Sequence, residues 1–293
     1  MDLIAPWSAT GRHVEVFGHR VFVVEAGAGE GPPIAVLHGY PGSAADFSRV
    51  LPLLSARRRV IVHDHLGFGL SAKPEKWSYS LVDQADIALG LWRALGIDEV
   101  HLVAHDYGTS IATELITRHV RGHCPIRLRS VTLSNGSVHI ELARPLLAQR
   151  LLKRPVLGPL LARLSSEGYF RRNIANTVSH PLPDDEVGRM WALLIHDEGR
   201  ARLPAISQYL DERVRLWHRW IGALPALDLP TLVLWGRLDP IARPIIAETL
   251  AREIPRAELQ WLEGIAHWPM LEAPGPWSEA LIGFLDRIDG LTA

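Results

Sequence analysis

The stretch Val100-His-Leu-Val-Ala-His-Asp-Tyr-Gly-Thr-Ser-Ile-Ala112 decides the fold. Residues 100–104 read as a strand buried on both faces, because a strand covered by helices on each side has no need of alternation. Gly108, two places after Asp106, marks a tight turn, and helical periodicity follows over 107–120. One side chain, Asp106, is thereby presented on a strained strand-to-helix turn at the carboxyl edge of a sheet, a place more often held by serine. A helix N-cap role for Asp106 would explain the local pattern alone; two motifs downstream favour chemistry. Ser110 offers a loose serine alternative, but it requires the strand to run on through Gly108, whereas apolar character stops at Ala104.

Outward from this stretch, short apolar runs at 34–37, 60–62, 131–133 and 232–235, with a weaker one at 258–261, read as further parallel strands. Helix-period segments such as 81–95 lie between most of them, and strand alternating with helix signals a parallel sheet flanked by helices. Ahead of these, His13-Val-Glu-Val-Phe-Gly-His-Arg-Val-Phe-Val-Val-Glu-Ala-Gly27 alternates apolar and polar around Gly18, as two antiparallel strands would. The fold class is therefore α/β, a mostly parallel sheet of eight strands with helices on both faces.

The alternation breaks over 137–225, where helical pattern (144–152, 185–195, 203–216) is cut by prolines at 155, 159, 181, 183 and 204. Strand character resumes at Leu229. The expected division is a core of residues 1–136 and 226–293 with a helical cap, or lid, at 137–225. Within the cap, the run from Arg144 to Leu164 is basic and apolar enough to suggest a helix lying on a membrane surface. Pro155 and Pro159 interrupt it, which favours a cap helix packing on the core.

Composition narrows the classes. The 293 residues carry 31 Lys and Arg against 32 Asp and Glu, a formal charge of −1, which lacks the basic surplus of a nucleic-acid binder. The single cysteine, Cys124, can form no internal disulfide, so no oxidising compartment is needed and a cytoplasmic location is expected. The N-terminal residues contain Asp2 and no basic, apolar leader pattern, so no signal peptide is expected. No apolar run approaches the ~18 residues of a membrane span, so no integral membrane segment is expected. His63, Asp64 and His65 invite a metal reading, but no third ligand follows at suitable spacing, so no metal is expected and Asp64 is assigned to a turn.

Two further motifs give the elbow its partners. Leu232-Val-Leu-Trp-Gly-Arg-Leu-Asp-Pro240 places Asp239 just beyond a late strand, and Gly264-Ile-Ala-His-Trp-Pro269 places His267 in the loop after the last strand. Nucleophile, acid and histidine in that chain order, each at a strand end, would converge at the sheet's carboxyl edge, where open α/β sheets bind ligands. His38-Gly-Tyr-Pro41, immediately after the strand at 34–37, is a fourth piece.

These residues together resemble the α/β-hydrolase superfamily along nearly the whole chain, in the branch with an aspartate nucleophile that holds epoxide hydrolases and haloalkane dehalogenases. The runs Leu133-Ser-Asn-Gly136, Arg144-Pro-Leu-Leu147, Gln208-Tyr-Leu-Asp-Glu-Arg213 and Trp235-Gly-Arg-Leu-Asp-Pro240 most resemble the mesoderm-specific transcript group, which sequence places beside the epoxide hydrolases. The resemblance implies that the backbone N–H groups of Tyr40 and Tyr107 form an oxyanion hole beside His38.

An aspartate nucleophile selects its electrophile. A carboxylate, with an ordinary pKa of about 3.9, is ionised at neutral pH without a base. Attack on an ester would give a high-energy anhydride, whereas attack on an sp³ carbon gives an ordinary alkyl ester. His267, oriented by Asp239, would then activate water against that ester. An epoxide needs a proton donor for its departing oxygen, and Tyr209 resembles a ring-opening tyrosine of epoxide hydrolases by its place late in the cap. The resemblance puts the first such tyrosine near Arg154, which departs from it, leaving Tyr169 as the cap candidate. A halide would need N–H donors; Tyr107 and Tyr40 stand where dehalogenases usually carry other residues, although Trp191 and Trp268 offer indoles. The expectation is an epoxide hydrolase without cofactor, with water as co-substrate and a small apolar epoxide bound against Trp191, Leu194 and Phe170. Haloalkane dehalogenation, and a member of the fold that binds a ligand or performs cofactor-free oxygen chemistry, are the alternatives.

Overall fold

A computed structural model describes residues 2–29 and 31–290. Eight strands form one sheet: β1 (Arg12–Val16), β2 (His19–Ala26), β3 (Ile34–Leu37), β4 (Val60–His63), β5 (Glu99–His105), β6 (Arg127–Ser134), β7 (Thr231–Gly236) and β8 (Ala257–Leu262), in spatial order β1-β2-β4-β3-β5-β6-β7-β8. β1 and β2 pair antiparallel with Val16 opposite His19, which leaves a two-residue loop, Phe17-Gly18, with φ of 49° and 79°. Two consecutive positive φ values match the twist of a tight hairpin. β2 also runs antiparallel to β4, and all other pairings are parallel. The eight strands, and the hairpin at Gly18, stand as the alternation predicts.

Alternate residues of the central strands face opposite layers. Ala35 and Leu37 join one core with α3 (Leu81–Ala94), α4 (Tyr107–Val120) and α12 (Pro244–Glu253); Ile34 and Val36 join the other with α1 (Ala5–Ser8), α2 (Leu51–Ser55), α13 (Pro269–Glu272) and α14 (Pro274–Asp289). After β3 the chain moves to β4 on one side and then to β5 on the other. A crevice opens at such a switch point, at the carboxyl ends of the strands. The loop after β3 and the turn after β5 are its two walls.

Between β6 and β7 the described residues form helices only: α5 (Leu147–Leu152), α6 (Leu157–Leu164), α7 (Glu167–Ala175), α8 (Asp184–Ile195), α9 (Gly199–Ile206), α10 (Tyr209–Arg215) and α11 (Trp217–Ile221). Two expectations need correction. The helix expected over 144–152 starts at Leu147, because Pro145 disfavours helical backbone at Arg144; Leu146 stays extended, and its N–H is capped by the Gln149 side chain at 2.7 Å. The helix expected over 203–216 is two helices. α9 tightens at its end, with Gln208 N–H bonding Ala205 O rather than the residue four back, and α10 restarts at Tyr209 in a new phase. No helix among the described residues is long and apolar enough to cross a membrane.

Candidate active site

Asp106 has φ 43° and ψ −107°, a conformation that costs a non-glycine residue roughly 1–3 kcal/mol. Its surroundings leave it no alternative. The Asp106 carbonyl accepts from the Thr109 amide (3.1 Å) and hydroxyl (2.6 Å), and its Oδ2 accepts from the Tyr40 N–H at 2.9 Å. Two glycines allow this approach: a Cβ on Gly108 would lie 2.3 Å from Leu37 O, and one on Gly39 would lie 2.7 Å from His105 Nδ1. The loop after β3 and the start of α4 are therefore in contact through bare backbone. Tyr107 N opens α4, where a helix leaves its first N–H groups without intrahelical partners.

Asp239 follows β7, and its carboxylate is saturated. Oδ1 accepts from the amides of Ile241 (2.8 Å) and Ala242 (2.9 Å); Oδ2 accepts from Asn135 Nδ2 (2.7 Å) and His267 Nδ1 (2.8 Å). Because a carboxylate only accepts, His267 carries its proton on Nδ1 and turns Nε2 away from Asp239. Burial by itself would depress the His267 pKa; the Asp239 carboxylate, joined by Asp106 and Glu272, outweighs it and lifts the value to about 9. The adjoining His105 donates from Nε2 to His267 O at 2.7 Å, and burial pushes its own pKa down to about 4. A neutral ring thus fixes the backbone under a charged one.

The other wall comes from the helical excursion. Gln149 Oε1 is taken by the Leu146 amide, so its Nε2 donates to the Tyr209 hydroxyl at 3.0 Å. The phenol oxygen is an acceptor in that bond, and its own proton remains to be given elsewhere. The Tyr209 ring meets Tyr107 edge-on at 5.2 Å and Tyr40 at 5.6 Å. Burial first, and then the Asp106 charge, hold the Tyr209 phenol well above its ordinary pKa. Arg213, 2 % exposed, places its guanidinium 4.6 Å from the centre of that ring and donates to Ser110 Oγ at 2.7 Å.

A cavity with an open mouth lies between excursion and core. Its wall is mostly apolar and includes Tyr40, Tyr169, Phe170, Trp191, Leu194 and His267. Asp106 and Tyr209 are each hydrogen-bonded to a lining residue, Tyr40 and Gln149 respectively. Tyr169 is 47 % exposed, at the mouth. Two expected substrate contacts are corrected. His38 does not line the cavity; its ring stacks on His65 at 4.1 Å and its Nε2 accepts from the His65 amide. Trp268 does not line it either, because its indole donates to Thr177 and packs against His105 and His267. The Tyr107 ring likewise lies in the core against Phe68 and His65, so only its backbone faces the elbow. Ser110 lies inside α4 under Arg213, off the turn. Asp64 accepts from the Ala44 and Leu70 amides, each at 2.7 Å, as its turn role requires.

Sequence reasoning missed Asn135, Gln149, Arg213 and His105. Asn135 and Arg213 did fall in runs that carry the resemblance, and Asn135 follows a strand and precedes a glycine; in the structure it has φ 45°. Its amide ties β6 to the acid loop by bonding Asp239, Ala266 O and Gly236 N together.

A strand-turn-helix elbow, an acid after β7 and a histidine after β8 define a family, and the profile described as alpha/beta hydrolase fold matches residues 32–274. The chain belongs to the α/β-hydrolase family. Among its relatives, LipZ of Mycobacterium tuberculosis is 38% identical over 284 residues, covering 96% of this chain and 98% of that protein. The mesoderm-specific transcript protein of Mus musculus is 34% identical over 292 residues, covering 96% and 87%. The haloalkane dehalogenase DbeA of Bradyrhizobium elkani superposes with a TM-score of 0.81 at 22% identity, covering 96% of this chain and 99% of that one. In the α/β-hydrolase fold the elbow presents a nucleophile, and here the elbow residue is a carboxylate.

Proposed function

We propose that this α/β-hydrolase is an epoxide hydrolase that opens an apolar epoxide to a vicinal diol. The observation that carries the reading is the Tyr209 hydroxyl, whose acceptor role is taken by Gln149 and whose proton is left for donation beside the Asp106 carboxylate. Asp106 attacks one epoxide carbon, that carbon's bond to the ring oxygen breaks, and the departing oxygen takes the Tyr209 proton. The product is a hydroxyalkyl ester on Asp106 and a Tyr209 phenolate, with Arg213 over its ring.

Esterification removes the Asp106 charge, one of the charges that hold His267 protonated. The imidazolium then gives its extra proton to solvent, and the neutral imidazole acts as base, taking a proton from water as the water attacks the ester carbonyl. The tetrahedral oxyanion forms where the Tyr40 N–H already holds the Asp106 oxygen, with the Tyr107 N–H as second donor. Collapse expels the diol oxygen, which takes the proton held by His267, and the regenerated Asp106 carboxyl gives up its proton through solvent to the Tyr209 phenolate. Every group the sequence needs is on the chain or is water.

Residues 137–225 act as the lid, since they supply Gln149, Tyr209 and most of the apolar wall. A cytoplasmic location suits the lone half-buried Cys124.

Intact-mass measurement of His267→Gln after exposure to epoxides and haloalkanes tests the assignment. Without its base the enzyme stalls at the ester. A mass gain equal to the whole epoxide, lost in Asp106→Asn, is expected. A gain equal to an alkyl group without its halide, or no adduct with any epoxide, would overturn it.

A further inference from the structure

Residues 142–166 contain five basic side chains, Arg144, Arg150, Lys153, Arg154 and Arg163, and no acidic one, in a chain whose net charge is −1. Lys153 is engaged by Asp211, and Glu198 lines a groove beside Arg163. Arg144, Arg150 and Arg154 are exposed and make no ion pair among the described residues.

The same segment exposes apolar surface. Six of the eleven exposed large hydrophobic side chains among the described residues fall between 147 and 169, which makes a patch rather than a scatter. α6 packs inward through Gly158 and Ala162, and turns Leu157, Leu160 and Leu164 outward, the last of them 67% exposed. Spacings of three and four residues put those leucines on one helix face. Val156, just before α6, is 87% exposed, and Leu147 opens α5 at 66%.

Both features border the cavity mouth. Leu146, Leu152, Ser165 and Tyr169 line the cavity and alternate along the chain with the outward Leu147, Arg154 and Leu164. Burial of the leucines against the same face of a second copy would set these arginines against one another, since residues 142–166 carry no acidic side chain. A surface that is apolar below and anionic above satisfies both at once.

We propose that this face of the excursion docks on the surface of a bilayer containing anionic phospholipid, leucines at the headgroup boundary and arginines at phosphates, so that the cavity mouth opens toward the lipid phase. Docking is independent of the reaction chemistry, and it is read here without turnover.

Co-sedimentation of the full chain with vesicles of phosphatidylcholine alone, and of phosphatidylcholine mixed with phosphatidylglycerol, tests it. Strong partitioning onto the mixed vesicles, weakened by salt, is expected. Arg150→Gln with Arg154→Gln should lower it by about fivefold for each charge removed. Leu160→Ser with Leu164→Ser should lower it at least as far, with Tm unchanged because both side chains are exposed. Leu238→Ser, 58% exposed but outside this segment, should have no effect. No partitioning, equal partitioning on both vesicle types, or indifference to the double variants would overturn the proposal. So would a dimer in lipid-free buffer, seen by sedimentation velocity and dispersed by the leucine substitutions, since that would assign the stripe to a second copy of the chain.

Discussion

His63 ends β4 with no exposure and with neither ring nitrogen hydrogen-bonded, its edge against His65 at 5.1 Å. Burial lowers its pKa from 6.5 to about 4. In that window the unfolded chain binds a proton that the folded chain refuses, so stability is lost as pH falls below 6.5 and the loss is complete only below the folded value. At about pH 5 the unfolded ring is almost fully charged and the folded ring almost fully neutral, a difference of about 2 kcal/mol; at about pH 7.5 it vanishes. His38, held at about 3 by burial, and His105, at about 4, push in the same direction, so the protein should be acid-labile well above the carboxylate range. His63→Leu nearly conserves volume and removes both unpaired nitrogens. It should stabilise at both pH values by roughly 1–2 kcal/mol, from the lost cost of unbonded polar groups, and by about 2 kcal/mol more at about pH 5. Urea midpoints of parent and variant at the two pH values measure this directly. If the parent and His63→Leu lose the same stability between them, the buried neutral ring is not what the proton acts on, and the reasoning fails.

Four further outcomes follow from the same geometry. Tyr209→Phe should slow ester formation by roughly 10²–10³-fold, the usual loss for one donor to a developing oxyanion, and leave ester hydrolysis unchanged in single-turnover experiments. Gly108→Ala should destabilise by roughly 1–3 kcal/mol, because its Cβ meets the backbone oxygens of Leu37 and His38 rather than a side chain that can yield; Gly283→Ala, with nothing nearer than Arg287 at 3.9 Å, should stabilise α14 by up to ~1 kcal/mol in thermal melts. The His267–Asp239 pair works in the opposite sense to His63: a pKa raised to about 9 gives stability that is full below 6.5 and lost as pH rises through 9. That is about 3 kcal/mol, and Asp239→Asn should flatten the alkaline limb of the stability profile.

The apolar runs at 34–37, 60–62 and 232–235 announced their strands because burial on both faces demands continuous apolar character, a requirement met residue by residue along the chain. Asp106, Asp239 and His267 were legible for a related reason. Each comes after a recognisable strand, and parallel strands bring the loops at their carboxyl ends to one edge of the sheet. Their order was readable before any contact was known. What the sequence could not supply was which groups meet across long separations. Nothing local reveals that the Gln149 amide would meet the Tyr209 hydroxyl 60 residues on, whereas its bond to Leu146 and the seat of Arg213 over the Tyr209 ring join residues only three and four apart. The break between α9 and α10 was hidden for another reason, since a pattern of period 3.6 reads straight through it. His38 was placed at the site through the motif it opens and Trp268 as an indole donor for a halide, and packing turned both rings into the core. The basic, apolar run from Arg144 to Leu164 was ambiguous for the same reason. Pro155 divides it, but Pro159 is accommodated in the first turn of α6, which packs on α5 and α9 of the cap rather than on the core, and only that packing shows that Gly158 and Ala162 take the inner face and leave the leucines outside. Periodicity states that a helix has faces; which face is covered depends on the partner, and the partner is supplied by the fold.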